Sequence, residues 1–205
     1  MSRTAPAAAR PLRHATVAVV AVVGAGALAM TLLTGTDVLA RLGLATQAAR
    51  LGVLVVCPRV EPVRVDGIEV PAGPVGGYCQ DRLVRAAQII AAARSLGIGP
   101  HTQAIGVMTA MGESGLVDLD HGDAAGPDSR GLFQQRANGA WGSTADRMSP
   151  YRSASDFFTA LVAIPGWQRL TPVQAAHAVQ GNADPGHYGR YWRDAVAVVD
   201  ALDPH

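Results

Sequence analysis

Apolar positions along the second half of the chain recur mostly at helical spacing. In Asp81–Leu96 (DRLVRAAQIIAAARSL), Leu83, Ala87, Ile90 and Ala91 form one stripe, with Arg82, Arg85 and Arg94 lying off it. Gly97 marks the stop. After Gly99-Pro100, the segment His101–Met111 puts Ile105, Met108 and Met111 on one face and runs into Gly112-Glu113-Ser114. A third helix is expected over Asp156–Ile164, capped by Ser153 or Ser155 and broken by Pro165-Gly166. Thr171-Pro172 is a strong start for a fourth, Val173–Gln180, because the hydroxyl caps and proline suits the first turn. A turn at 181–186 leads to a last helix over Tyr188–Leu202. Gly115–Arg130 reads as a loop closed by a turn at Gly131, and Asn138–Met148 as irregular, with Trp141 available as a wall residue. No alternating strand pattern occurs after residue 80, so the expected class is all-α over residues 80–205.

The first half follows other patterns. Arg3, Arg10 and Arg13 precede an uncharged run, Ala15–Leu33, of about the 20 residues that span a bilayer. Residues 1–35 therefore read as a signal anchor, with a cleaved signal peptide as the alternative. In both cases the positive-inside rule puts the remainder outside the cytoplasm. Asp37–Val56 has an Ala/Leu/Val pattern that suits a short amphipathic helix. Beyond it, CPRVEPVRVDGIEVPAGPVGGYC alternates Val with charge, which suggests a small hairpin around Asp66-Gly67. Residues 36–79 are thus expected to form a stalk without a core of its own. Cys57 and Cys79 are the only cysteines. In an exported chain they read as a disulfide, closing a loop of about 23 residues for roughly 3 kcal/mol on a chain-entropy model; two unpaired thiols are the other reading. With no CxxC and no His between them, they do not read as a zinc site.

Composition narrows the function further. A formal charge of +1 over 205 residues gives no electrostatic case for nucleic acid. Every basic residue is Arg, which points to genomic base composition. Aromatics make up 5% of the chain, so the core must come mainly from Ala, Val, Leu and Ile.

The chemistry concentrates in Met111–Gln135. Glu113 is the only Glu after residue 80. A carboxyl half-buried at the end of an apolar helix is driven towards its protonated form and can donate a proton to a leaving oxygen; the plainer reading is a solvated helix end. Asp118, Asp120, Asp123 and Asp128 follow in the loop, where turn geometry alone accounts for Asp and Gly. Gly122 interrupts the order a calcium loop needs and no Glu closes it, so no metal is expected. No glycine fingerprint for phosphate occurs either, and no cofactor is expected. His121, His177 and His187 read as surface or capping residues, and Trp141, Trp167 and Trp192 as core.

Glu113-Ser114 followed by Gly131-Leu132-Phe133-Gln134-Gln135 resembles the ES…GLMQ pattern of lytic transglycosylases and goose-type lysozymes. The runs HGDAAGPDSRGLFQQRANGAWG, YRSASDFFTAL and AAHAVQGNADPGHYGRYW are similar, in this order, to the domain of that class in actinobacterial cell-wall proteins. The resemblance covers Gln80 to Val199. It implies a lysozyme-like helical domain that cleaves the β-1,4 bond between N-acetylmuramic acid and N-acetylglucosamine in peptidoglycan glycan strands. Glu113 would be the acid/base, and Ser114, Gln134 and Gln135 would line the sugar groove. The resemblance leaves non-hydrolytic 1,6-anhydro ring formation and hydrolysis both open. Many relatives carry a Tyr-Asn pair where this chain reads Ala178-Val179-Gln180; Gln180 offers an amide, and Tyr188 or Tyr191 a phenol. A non-catalytic wall-binding or scaffolding module is the alternative. Relatives are often fused to a cell-wall peptidase, which makes a peptidase or envelope machine an implied partner. The N-terminal segment implies contact with the membrane.

Overall fold

The computed structural model describes residues 55–124 and 126–204. The chain divides into Met1–Arg50 and Leu51–His205, and only the second unit falls within the described range. The expected anchor at Ala15–Leu33, and nearly all of the amphipathic segment after it, lie outside the described residues. Among those described, no helix is long and apolar enough to cross a membrane.

The order of elements is a hairpin, β1 (Val63–Val65) and β2 (Ile68–Val70), then α1 (Gln80–Ser95), α2 (Pro100–Ser114), α3 (Thr144–Met148), α4 (Pro150–Ala163), α5 (Pro172–Gln180) and α6 (Trp192–Leu202). Single 3₁₀ turns at Trp167–Arg169 and Gly189–Tyr191 precede α5 and α6. The unit is mostly helical with one disulfide, Cys57–Cys79.

α2 is the axis of the core. Every residue from Thr102 to Met111 is buried, on all sides of the helix, as expected of an element enclosed by neighbours. α1, α4, α5 and α6 all pack against it. Gly106 permits one of these approaches, since a Cβ there would lie 2.4 Å from Phe158 Cζ. Phe158 meets Phe157 edge-on, and Phe157 stacks on Phe133 at 4.9 Å between centroids. A few aromatics thereby fill the space between α2, α4 and the loop that follows Gly131.

The hairpin corrects the expected boundary at Gln80. Asp66 and Gly67 both have positive φ, 49° and 83°, the two-residue turn whose twist suits adjoining antiparallel strands. The register pairs Val63 with Val70 and Val65 with Ile68. Ile68 and Val70 are 2% and 0% exposed and join the main core, with β2 packed on α1 and α6. A two-stranded ribbon is not stable alone, and its period-2 alternation gives it one apolar face to lay on helices. The stretch expected to be a stalk is therefore part of the domain. The disulfide fastens the strand approach to Cys79, the N-cap of α1.

Three helix assignments also shift. Asn138–Met148, expected to be irregular, contains α3, started by a capping box between Ser143 and Asp146. α4 begins at Pro150 with Ser149 as cap, two turns before the expected start. The last helix begins at Trp192, because Gly189–Tyr191 forms a 3₁₀ turn.

Ile68→Ala should destabilise the protein by about 2–4 kcal/mol through a core cavity. A denaturation midpoint equal to that of the unsubstituted chain would mean the hairpin lies off the core.

Candidate functional site

Glu113 stands in the last turn of α2, where the helix emerges from the core. Its end is closed by Gly115 in the left-handed region, φ 62°. Gly115 N donates to Met111 O, and Leu116 N to Ala110 O, a glycine-capped termination. Gly112 O accepts from His187 Nε2 at 3.1 Å, and Gly115 O accepts from the Arg82 guanidinium. The helix end thus presents its carboxylate from a backbone that is held on several sides.

Tyr188 is the side chain that meets the carboxyl. It is fully buried, and its hydroxyl donates to Glu113 Oε1. Burial first, then the neighbouring Glu113 charge, push the phenol well above its ordinary pKa, while the amides of Asn182 and Gln180 pull the other way. It therefore stays protonated and a donor throughout the neutral range. Glu113 Oε2 has no hydrogen bond to the described residues. Gly112 makes room for the ring, because a Cβ there would lie 2.6 Å from Tyr188 Cδ1.

The GLFQQ segment closes on itself through paired backbone bonds between Arg130 and Gln135, both 3.1 Å. Two carbonyls of this loop anchor it beside the helix end. Leu132 O accepts from Ser114 Oγ at 2.9 Å, and Phe133 O accepts from Gln180 Nε2 at 2.8 Å. Ser114 and Gln180 therefore serve as ties between segments. Gly131 lets the chain pass Arg147, whose carbonyl oxygen would be 1.9 Å from a Cβ there. Gln134 is held at φ 46° and donates Nε2 to Gly131 O at 3.1 Å. Such a conformation is strained for a residue with a Cβ and is tolerated only where the surroundings impose it. Gln135 faces inward, 2% exposed, and donates to Ser153 O at 3.0 Å. Its side chain does not line a surface.

Glu113, Ser114, the GLFQQ loop, Gln180 and Tyr188 are thus brought together from segments up to 75 residues apart in sequence. The aspartates are engaged elsewhere. Asp118 pairs with Arg85 at 3.0 Å, Asp120 with His121 at 2.9 Å, and Asp123 accepts from Gly126 N at 2.8 Å. Asp128 accepts from Ala137 N at 2.8 Å and from Arg136. These bonds, the backbone one first, hold its carboxyl down at about 2. No aspartate is hydrogen-bonded to Glu113. Among the described residues, no three or more His, Cys, Asp or Glu side chains converge as a metal site. A concavity of about 520 Å³ lies between the hairpin and the end of α6, lined by Arg64, Glu69, Arg94 and Leu202 among others. Glu113 is not part of it.

Asn182 is not marked by the sequence pattern, and His177, expected as a surface or capping residue, is half-buried in the site. Asn182 Nδ2 donates to the Tyr188 hydroxyl at 2.9 Å, and Asn182 Oδ1 meets His177 Nδ1 at 2.8 Å. The only signal for them was proximity, in the turn that joins α5 to Tyr188.

Gly112→Ala should drive the Tyr188 ring off Glu113 and destabilise the protein by about 1–3 kcal/mol, measurable by urea denaturation. The depressed Asp128 pKa has a defined sign. The carboxylate's contribution is present above the unfolded value near 4 and is lost as pH falls through about 2. Hydrogen-exchange protection of the Ala137 amide should therefore persist at pH 3 and vanish near 2. No protein-family model and no curated protein matches this chain.

Proposed function

We propose that this chain cleaves the β-1,4 bond between N-acetylmuramic acid and N-acetylglucosamine in peptidoglycan, with Glu113 as general acid and then general base, on a lysozyme-like helical domain. The observation that carries the reading is the Glu113 carboxyl itself. It ends a buried helix, has one oxygen on a buried phenol, and has no second carboxylate hydrogen-bonded to it.

In the proposed reaction the protonated Oε2 gives its proton to the glycosidic oxygen as the bond to the muramyl C1 breaks. The muramyl 6-hydroxyl attacks C1, and its proton passes to the Glu113 carboxylate. The 1,6-anhydro ring closes, and Glu113 ends in its starting form with no water consumed. In between, the carboxylate is stabilised by the Tyr188 hydroxyl, a charge-assisted bond stronger than a neutral one. Hydrolysis by the two-carboxylate route requires a second acid flanking the bond. Each of the four loop aspartates is hydrogen-bonded to an Arg, a His or a backbone N–H, and the mass of the products distinguishes ring closure from hydrolysis. A stretch that reads Ala178-Val179-Gln180 in place of a Tyr-Asn pair suits a non-catalytic wall-binding module. From the following turn Tyr188 puts a phenol on Glu113 and Asn182 an amide on that phenol, which supports the catalytic reading over the wall-binding one. The disulfide suits an oxidising compartment outside the cytoplasm, where peptidoglycan lies.

The test is digestion of purified peptidoglycan by the full chain and by Glu113→Gln, with products read by mass spectrometry. Anhydro-muropeptides are expected from the unsubstituted chain, and at least about 100-fold fewer from Glu113→Gln. Reducing ends one water heavier would replace ring closure with hydrolysis. Binding to sacculi with no release of fragments would make the protein a wall-binding module.

A further inference from the structure

His177, Asn182, Tyr188 and Glu113 form one unbroken line of side-chain hydrogen bonds. Its direction follows from chemistry. Glu113 Oε1 is an acceptor both in the carboxylate and in the acid that carries its proton on Oε2, so the Tyr188 hydroxyl must donate to it. That leaves the phenolic oxygen to accept, and of the two ends of the Asn182 amide only the NH₂ can give to it. Asn182 Oδ1 therefore faces His177, and the Nδ1 of the imidazole must carry the proton. An amide turned by half a rotation would set its oxygen against the phenol and compete for the proton that Glu113 needs.

We infer that His177 is a positioning residue for the proposed acid/base: its Nδ1–H fixes the orientation of the Asn182 amide, which in turn directs the Tyr188 proton to Glu113. The inference rests on the reading of Glu113 given above. The geometry favours a fixed imidazole. His177 is half-buried on α5, and its own carbonyl accepts from Gly181 N at 2.8 Å, which closes the helix where Gly181 turns left-handed at φ 64°. That turn brings Asn182 back over the last turn of α5. Gln180, on the same turn, is tied to Phe133 O, so the platform that carries His177 and Asn182 is joined to the GLFQQ loop. The histidine needs no contact with a sugar for this role. It acts through an amide and a phenol whose positions are already set by packing.

Three variants of the full chain separate this role from simple packing. His177→Asn places an amide N–H close to where Nδ1 lies and should keep turnover within about twofold of the unsubstituted chain. His177→Leu keeps bulk but loses the donor, and Asn182→Asp keeps shape but offers the phenol only oxygens. Both should lower kcat about tenfold or more, with KM within about twofold, since the bond affected is to the reacting group and not to ground-state sugar. Equal kcat in His177→Leu and His177→Asn would overturn the inference.

A second readout does not depend on cleavage. The hydrogen-bonded Tyr188 hydroxyl proton, assigned by its loss in Tyr188→Phe, should appear by NMR in the unsubstituted chain and in His177→Asn. It should shift or broaden away in His177→Leu. If the chain cleaves nothing but this signal responds as expected, the enzymatic reading fails and the hydrogen-bond line stands. If the signal is unmoved in His177→Leu, His177 does not position the line, whatever the activity.

Discussion

A carboxylate at the C-terminal end of a helix faces the negative end of the helix dipole and the last unpaired carbonyls, which disfavour its charge. Glu113 is in that position, after ten consecutive buried residues of α2, and the rest of the site answers the problem. Met111 and Ala110 carbonyls are taken by the Gly115 and Leu116 amides, the Gly112 carbonyl by His187, and the Gly115 carbonyl by Arg82. With these oxygens occupied, the Tyr188 hydroxyl can serve Glu113 alone. Among the described residues, the phenol is the side chain that donates to Glu113. Its place depends in turn on Gly112 having no side chain.

Much of the fold could be read from the sequence because its signals are local. The 3.6-residue period of Leu83, Ala87 and Ile90, the Thr171-Pro172 start and the Asp66-Gly67 turn each specify backbone within a few residues. α3 escaped because a five-residue helix has no period to detect, only its capping box. The hairpin was recognised but its burial was not. Alternation of Val or Ile with charge suits an exposed ribbon as well as one laid on helices, and only the α1 and α6 surfaces decide between them. The two glutamines of GLFQQ differ for a similar reason. Gln134 takes a left-handed backbone and Gln135 an extended bridge to Arg130, which sends their side chains to different sides.

The site was legible at its centre and not at its edge. Glu113, Ser114 and the GLFQQ segment lie in ordered motifs, and they meet in space. His177 and Asn182 belong to no pattern of period or spacing. They come together because Gly181 reverses the chain after α5, a tertiary consequence of one left-handed residue.

The loop from Gly115 to Arg130 was the part of the sequence that left water open as a nucleophile, since it carries four aspartates close to the only candidate acid. Its carboxylates are instead what gives the loop its shape. Asp118 holds Arg85 of α1, Asp123 turns the chain at Gly126, and Asp128 clamps the amide of Ala137 while the buried Arg147 takes the Asp128 carbonyl. Asp128, held by the Ala137 amide and the Arg136 guanidinium, has a lowered pKa and is a poor base for water. Under the proposed reading the proton that leaves Glu113 must then return to Glu113. The group best placed to return it is a hydroxyl of the substrate itself. On that reading the single carboxyl held by Tyr188 acts twice, first as acid and then as base.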